Sequence, residues 1–243
     1  MQILFALTLA ACAMLTAGWG QQIPAHKPSR AELLTWLRSD NAEVRSEALD
    51  QLRTDPVALR DPKVKAALVN QLDRENRETL YAEEEDYAGY LSWLVDTVAK
   101  VVDWSNPRQV CILANGAYLT DELAAHAKVA VPCLLQRSNN APPPVRGYVV
   151  ALLVQALSKG RGELDAVTVQ AVQQIILSAL HDPDAAVKIP TVEALERFGG
   201  EDMIPALQVV ADKDPDPSEG YAIRKWAADA IVAIQKRAGQ QQQ

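Results

Sequence analysis

The side chains best suited to catalysis or metal binding in this chain are three histidines and three cysteines. No histidine has a second histidine one helical turn away, and the HExxH sequence of zinc peptidases does not occur. Cys111, His126 and Cys133 would meet at a zinc ion only if their helices packed together, and no CxxC spacing supports such a site. Glycine motifs for phosphate binding and for nucleophile elbows are also missing. We therefore expect no catalytic residue, no metal and no cofactor.

The densest run of charge is acidic and occupies positions 83–86. Calcium loops space their oxygen ligands around glycine turns, and this run lacks that spacing. Acidic residues at the start of a helix complement the helix dipole. We interpret the run as a solvated helix start, not as a cation site.

The charge balance disfavours nucleic acid as a partner. The chain has a net charge of -7 and no run of lysines and arginines, whereas binding to phosphate backbones requires a basic patch. Hydrophobic residues make up 49% of the sequence and charged residues 23%, which is typical of a globular protein. We therefore expect no nucleic-acid partner.

The start of the sequence resembles an export signal. Residues 3–17 form an apolar run that is short for a membrane-spanning helix and suits the core of a signal peptide. Small residues permit cleavage before Gln21, with Ala17 as the alternative. No lysine or arginine precedes the run, so a buried first helix is the competing interpretation. We predict a signal peptide at 1–20, a flexible lead-in at 21–28, and a protein exported to the periplasm or cell envelope.

The sequence LAAC at 9–12 also matches the bacterial lipobox, whose cysteine carries lipid after cleavage. The apolar core before Cys12 is short, and the residues after it are apolar instead of forming a polar tether. The alternative to a cleaved signal peptide is therefore a lipoprotein anchored through Cys12, the only form in which we expect a membrane as a partner.

Removal of residues 1–20 would leave Cys111 and Cys133 as an even pair of cysteines in an oxidising compartment. They are twenty-two residues apart, which suits a bridge across a helix hairpin. A disulfide between them is one interpretation. The other is two buried thiols that pack as small hydrophobic side chains.

An aliphatic residue followed by a cation recurs five times, each time after residues typical of turns. Asp, Asn and Ser accept hydrogen bonds from the first N–H groups of a helix, and proline fits a first turn, so each copy indicates a helix start. The five pairs are Val44-Arg45, Val64-Lys65, Val145-Arg146, Val187-Lys188 and Ile223-Arg224.

The residues after these starts carry one apolar stripe at helical spacing, as Ile223, Ala227, Ala230 and Ile234 do, with charged residues opposite. The last three copies begin forty-two and thirty-six residues apart. Helix pairs that repeat at this period bury their stripes by stacking on their neighbours. Pro190 lies six residues into one of these helices, where we expect it to cause a kink.

The stretches DPDAAVKIPTVEALERFG, YAIRKWAADAIVAI and NAEVRSEALDQL resemble HEAT repeats, which are pairs of antiparallel helices stacked into a superhelix. The resemblance covers 30–56 and 120–237 and is weak over 73–119. It implies an all-α fold, an α-solenoid of about four to five repeats over 29–239 with an irregular or inserted helical segment at 73–119. A disordered glutamine tail is expected at 240–243. The implied function is a protein-binding scaffold, although such a fold specifies function only weakly.

In HEAT repeats, an aspartate before the second helix and a cation at the second position of that helix commonly pair between adjacent repeats. The resemblance therefore implies a repeat-stacking role, in preference to ligand binding, for four cations of this chain. They are Arg45, Arg146, Lys188 and Arg224.

Some HEAT-like families are enzymes, among them bilin lyases and DNA glycosylases. The acidic charge argues against a glycosylase, and the export signal argues against both classes. A HEAT-like lyase or another small-ligand enzyme is the alternative to the non-enzymatic scaffold that we favour.

Six tyrosines and tryptophans fall in the segment where the repeat pattern breaks. Such breaks often mark a binding face, and both residue types are favoured anchors at interfaces. Tyr87 and Tyr90 share an apolar stripe and are expected in the core. Trp93 and Trp104 lie on a different face. With Tyr118, they are the candidate partner-binding residues, and core packing is the alternative for each tryptophan.

Overall fold

The computed structural model describes residues 28–78, 85–116, 121–214 and 220–241, and every regular element in them is helical. This confirms the all-α class predicted from the sequence. The described residues form α1 (Arg30–Trp36), α2 (Ala42–Arg53), α3 (Pro62–Glu78), α4 (Glu85–Ala99), α5 (Pro107–Asn115), α6 (Asp121–Ala125), α7 (Ala127–Asn140), α8 (Pro143–Gly160), α9 (Ala166–Leu180), α10 (Ala185–Phe198), α11 (Ile204–Lys213) and α12 (Gly220–Gln241). Short 3-10 segments occupy Ala58–Arg60, Arg161–Glu163 and Glu201–Met203.

Part of the sequence interpretation lies outside the described residues. This holds for the signal peptide with its cleavage sites, for Cys12 and the lipobox, and for most of the lead-in. It also holds for Tyr118 and for the first half of the acidic run at 83–86.

Turn residues before the recurring helices act as N-caps. The Asn41 side chain accepts hydrogen bonds from the backbone N–H groups of Glu43 and Val44, at 2.8 and 3.3 Å. The Asp184 carboxylate accepts one from Ala186 at 2.9 Å. These bonds satisfy N–H groups that have no partner inside the helix, so α2 and α10 begin where the sequence indicates.

The predicted apolar stripes face the interior. Ile223, Ala227, Ala230 and Ile234 are all buried on α12. α8 differs, because every residue over 149–157 is buried, and all of them except Gln155 are apolar. Such a helix belongs in the centre of a fold. Neither α8 nor any other helix of the described residues has the length and apolarity needed to cross a membrane.

Consecutive helices pack in pairs, and the pairs contact one another in chain order. α7 packs on α8, α9 on α10, and α11 on α12. α8, α10 and α12 also pack in succession, as do α3, α5 and α7. One hydrophobic cluster extends through these layers from Leu33 on α1 to Ile234 on α12.

The described part of the segment 73–119 is helical and belongs to the same cluster, to which it contributes Leu94, Val98 and Leu113. α12 continues to Gln241, into the first two positions of the segment 240–243 for which the sequence predicts a tail. Glutamine is a good helix former, and the single glycine before these positions does not end the helix.

α10 remains one helix from Ala185 to Phe198 with Pro190 inside it. Because proline has no N–H, the carbonyl of Ala186 loses its partner within the helix. Gly147 of α8 lies directly against that carbonyl, where a Cβ atom would overlap it. The proline and the glycine therefore lie at one close crossing of α8 and α10.

Candidate functional site

Trp93 on α4 is the most exposed tryptophan of the described residues, with 42% of its surface accessible. Arg53 at the end of α2 places its guanidinium carbon 4.9 Å from the centre of the indole ring. Two nitrogens of Arg53 lie 2.8 Å from one carboxylate oxygen of Asp50 on the same helix. Arg53 therefore contacts both the ring and the carboxylate, and the three side chains form one surface group.

Space on the helix face next to Trp93 is open. Gly89 lies one turn before it, and a Cβ atom there would meet no atom within 4 Å. Asp96 lies one turn after Trp93 and is exposed. The indole is accessible to a second molecule, and the exposed Asp96 lies one turn further along α4.

Tyr90 belongs to the core, as the sequence stripe predicts, with 4% of its surface exposed. It lies among buried polar side chains. Arg45 Nε is 3.1 Å from Glu75 Oε1, and the Arg45 guanidinium carbon is 5.8 Å from the Tyr90 ring centre. Burial and the nearby Glu75 carboxylate together raise the pKa of Tyr90 to about 12, although Arg45 opposes both. The Tyr87 side chain lies outside the described residues.

Trp104 is partly buried and packs against the core cluster. Its ring is stacked on His126, with centroids 4.1 Å apart and planes 16° apart. One face of the indole is therefore covered within the chain. Of the three predicted partner-binding residues, Trp93 is the accessible one, Trp104 is half enclosed, and Tyr118 lies outside the described residues.

Cys111 on α5 and Cys133 on α7 are joined by a disulfide, with Cα atoms 5.4 Å apart. His126 stacks on Trp104 at the start of α7. Among the described residues, no group of three His, Cys, Asp or Glu side chains is arranged to hold a metal ion. Of the two interpretations of the cysteine pair, a disulfide or two buried thiols, the structure shows the disulfide.

Two of the four cations for which the sequence implies a stacking role pair with an aspartate in a later turn. In each case, the turn precedes the next helix of the series α8, α10 and α12. Arg146 at the start of α8 pairs with Asp182 before α10 at 2.9 Å. Lys188 at the start of α10 pairs with Asp214 before α12 at 2.8 Å, and both side chains are almost fully buried. The two residues of the first pair are 36 apart in sequence and those of the second pair are 26 apart, so each pair joins two helix starts.

The other two cations behave differently. Arg45 pairs with Glu75 of α3 and donates hydrogen bonds to the carbonyls of Ser39 and Asp40 in its own turn. Arg224 is on the exposed side of α12. Arg146 and Lys188 thus share one environment, a turn aspartate before a later helix, whereas Arg45 is held by Glu75 and two carbonyls of its own turn.

Two carboxylates with perturbed pKa values serve as helix caps. Hydrogen bonds from backbone N–H groups lower the pKa of Asp61 through Lys63 and that of Asp165 through Thr168. A lowered pKa keeps each group charged, whereas a general acid near neutral pH needs a raised one. Their chemistry is that of helix capping.

Sequence reasoning missed Asp50, Arg53 and Gly89 around Trp93. Arg53 and Trp93 are forty residues apart, and only the packing of α2 on α4 brings them together. It also missed a cleft of about 310 Å³ between α8, α10 and α12.

No family model matches the chain, and no curated protein matches it either. Among solved structures, a crystal structure of an engineered protein is similar, with 15% sequence identity over 86% of this chain and 98% of the engineered one. Its TM-score is 0.43, too low to indicate a shared fold or function. The class that the described residues define is an all-α protein.

Proposed function

We propose that this chain is a non-enzymatic scaffold for protein–protein interaction, built as an α-solenoid of about four to five HEAT-like helix pairs. The order of packing supports the solenoid, since α8, α10 and α12 follow one another and their partner helices pair with them. The Arg146–Asp182 and Lys188–Asp214 pairs support it too, because each joins one helix start to the turn before the next helix of the row.

The accessible indole of Trp93, held beside Arg53, is the observation on which the binding role rests. Trp and Arg are the residue types most enriched where interfaces concentrate their binding energy. Arg53 pairs with Asp50 of the same helix, and its guanidinium lies beside the indole without any partner bound. The partner therefore meets a preformed aromatic and cationic surface.

A pull-down from an envelope fraction with the mature chain would identify the partner, and Trp93→Ala then tests the site. We expect the variant to weaken binding at least about thirtyfold, the effect of losing a residue worth about 2 kcal/mol at an interface. Its free energy of unfolding should fall by less than about 3 kcal/mol, because the indole is exposed.

Tyr148→Ala on α8 is the matched control, since Tyr148 is an aromatic residue with 53% of its surface exposed. It should leave partner binding unchanged. Equal losses for the two variants would remove Trp93 from the interface. A loss of unfolding free energy of about 3–5 kcal/mol for Trp93→Ala would show that the indole serves the core instead.

The same proposal places the protein in the periplasm or cell envelope. The apolar run at 3–17 and the Cys111–Cys133 disulfide support it, because disulfides persist in oxidising compartments. Mass spectrometry of the cellular protein tests it. A chain that begins at Gln21 supports signal cleavage, one that begins at an acylated Cys12 supports the lipoprotein form, and an intact chain in the cytosol contradicts export.

A further inference from the structure

The contact of α5 with α7 is the principal helix contact across the middle of the chain. It joins the helices α1 to α5, which we call the N-terminal part, to the helices α6 to α12, which we call the C-terminal part. Among the described residues, no ion pair runs from one part to the other. The position of one part relative to the other therefore depends on what holds α5 against α7.

Each part is closely packed up to this contact. A Cβ atom on Gly116, just after α5, would lie 2.8 Å from the Val95 side chain of α4. A Cβ atom on Gly160, the last residue of α8, would overlap that of Ala127 at the start of α7. Such close approaches leave little room for movement inside a part. We therefore expect relative motion to concentrate at the contact of α5 with α7.

Besides apolar packing, two specific contacts hold α5 against α7. The disulfide joins Cys111 to Cys133, and the Trp104 ring is stacked on His126. Trp104 precedes Cys111 by seven residues, and His126 precedes Cys133 by seven. The two contacts are therefore in register, roughly 10 Å apart at the rise of a helix. Two such points together fix the angle between the helices, whereas one point alone acts as a pivot.

The disulfide is within reach of a reductant, because both cysteine side chains are partly exposed. Thiol–disulfide exchange begins when a thiolate attacks one of the two sulfurs, so its rate depends on access to them. Exposed disulfides are accordingly the labile and regulatory ones, and enclosed disulfides resist reduction. The ring stack contains no bond that a reductant can break, so reduction removes one of the two contacts and leaves the other.

We propose that the Cys111–Cys133 disulfide is a redox lock on the angle between the two parts, and that its reduction lets them pivot about the Trp104–His126 stack. The reductant is a dithiol. One of its thiolates attacks a disulfide sulfur and breaks the S–S bond, which gives a mixed disulfide and one free cysteine thiolate. The second thiolate of the reductant then displaces the other cysteine and closes the reductant's own disulfide. Both cysteines are protonated to thiols.

The parts stay joined after reduction, because the hydrophobic cluster runs through α5 and α7. The change is one of angle and not of fold. Trp93 is on α4 and belongs to the N-terminal part, so the state of the disulfide sets where its surface lies relative to the C-terminal part. The lock itself does not depend on a binding role for Trp93.

Reduction of the folded, full mature chain is the first test. The protein is treated with dithiothreitol without denaturant, its thiols are trapped with iodoacetamide, and the mass of the intact chain is measured. We expect two alkyl groups per chain, with an unchanged far-UV circular dichroism spectrum. A disulfide that is reduced only in denaturant would overturn the proposal.

Single-molecule FRET between Ala66 on α3 and Ala228 on α12 measures the position of one part relative to the other. Both residues are exposed, and an unnatural keto amino acid at each carries the dyes without using the cysteines. A rotation of about 15° acting over two helix layers, about 20 Å, moves a label by about 5 Å. We expect the distance distribution to shift or broaden by about this amount on reduction, and equally in Cys111→Ala/Cys133→Ala.

Gln170 on α9 and Ala228 form the control pair, since both are exposed residues of the C-terminal part. Their distance should not change on reduction. An equal change in both pairs would mean a general loosening, which contradicts a pivot between α5 and α7. An Ala66–Ala228 distribution that is identical in the oxidised and reduced protein would also rule out the lock.

His126→Ala tests the pivot separately, because it removes the ring that stacks on Trp104, and the His126 side chain caps no helix N–H group. With the disulfide intact, the variant should keep the parent distribution between Ala66 and Ala228. After reduction, its distribution should be broader than that of the reduced parent. Equal broadening in both redox states would assign the lock to the stack instead of the disulfide, and no added broadening after reduction would remove the stack as the pivot.

Discussion

At the scale of single residues, the crossing of α8 and α10 makes Gly147 sensitive to one added carbon atom. A Cβ atom there would overlap the Ala186 carbonyl and approach Val187 Cα to 3.2 Å. Alanine normally stabilises a helix by up to about 1 kcal/mol relative to glycine. At Gly147 we expect the opposite, a loss of about 1–3 kcal/mol in the free energy of unfolding, because the helices must move apart.

Gly89→Ala is the control for this prediction, since Gly89 is also inside a helix but has open space at its Cβ position. Urea denaturation should show a small gain for Gly89→Ala and a loss for Gly147→Ala. Two variants that change stability in the same direction would mean that the helix crossing is looser than the structure indicates.

Tyr90 makes the free energy of unfolding depend on pH in the alkaline range. Its phenol has a pKa near 10 in an unfolded chain and about 12 in the fold, where burial and the Glu75 carboxylate disfavour the phenolate. Between these values the folded state binds more protons than the unfolded state, so stability falls as pH rises. We expect a loss of roughly 2–3 kcal/mol across that window, and none from this group at lower pH.

Denaturant titrations between pH 9 and pH 12 measure the effect against Tyr90→Phe, which keeps the ring and removes the titrating group. Other tyrosines and lysines titrate in both proteins, so the difference between their pH profiles isolates Tyr90. Parallel profiles would contradict the prediction.

At the scale of elements, the disulfide is the covalent link between α5 and α7. It closes a loop of twenty-two residues, and a cross-link over that length stabilises a fold by about 3 kcal/mol in the chain-entropy account. We expect Cys111→Ala/Cys133→Ala to lose about this amount in urea denaturation. A reductant should destabilise the parent protein similarly and leave the double variant unchanged. A parent protein whose stability is insensitive to complete reduction would contradict this.

Helix starts and core faces could be predicted because both depend on residues close together in sequence. Asn41 and Asp184 cap the helices that directly follow them, and Ile223 and Ala227 share a face through helical periodicity alone. The pairing of Cys111 with Cys133 was one of two alternatives that the sequence offered, because two residues twenty-two apart can meet across a pair of antiparallel helices.

Contacts between distant helices could not be predicted in the same way. The ion-pair partner of Arg45, Glu75, could not be named from the sequence, because its position depends on how α2 and α3 pack. The overlap at Gly147 and the cleft beside Arg197 depend on helix separation, which no local pattern specifies. The helical state of Gln241 was missed because a run of glutamines suits a helix end as well as a tail.

At the scale of the whole molecule, the hydrophobic cluster is continuous from α1 to α12. Stacked helix pairs unfold piecemeal only when the interfaces between neighbours are weak compared with the pairs themselves. Here residues 149–157 of α8 are all buried, and two ion pairs join the starts of α8 and α10 to the turns before α10 and α12. We therefore expect the two ends of the chain to unfold together.

Trp36 on α1 and Trp226 on α12 report on the two ends, since each is partly buried against the cluster. Two variants, each keeping one of them as the sole tryptophan, should show the same urea midpoint by fluorescence and by far-UV circular dichroism. Separate midpoints would show that the cluster divides, with α1 to α5 the first part to lose its structure if Trp36 responds at lower urea. Reduction of the disulfide is a second test of the same prediction. If the core is one unit, the loss of the link between α5 and α7 lowers both midpoints equally, although neither tryptophan is on the linked helices.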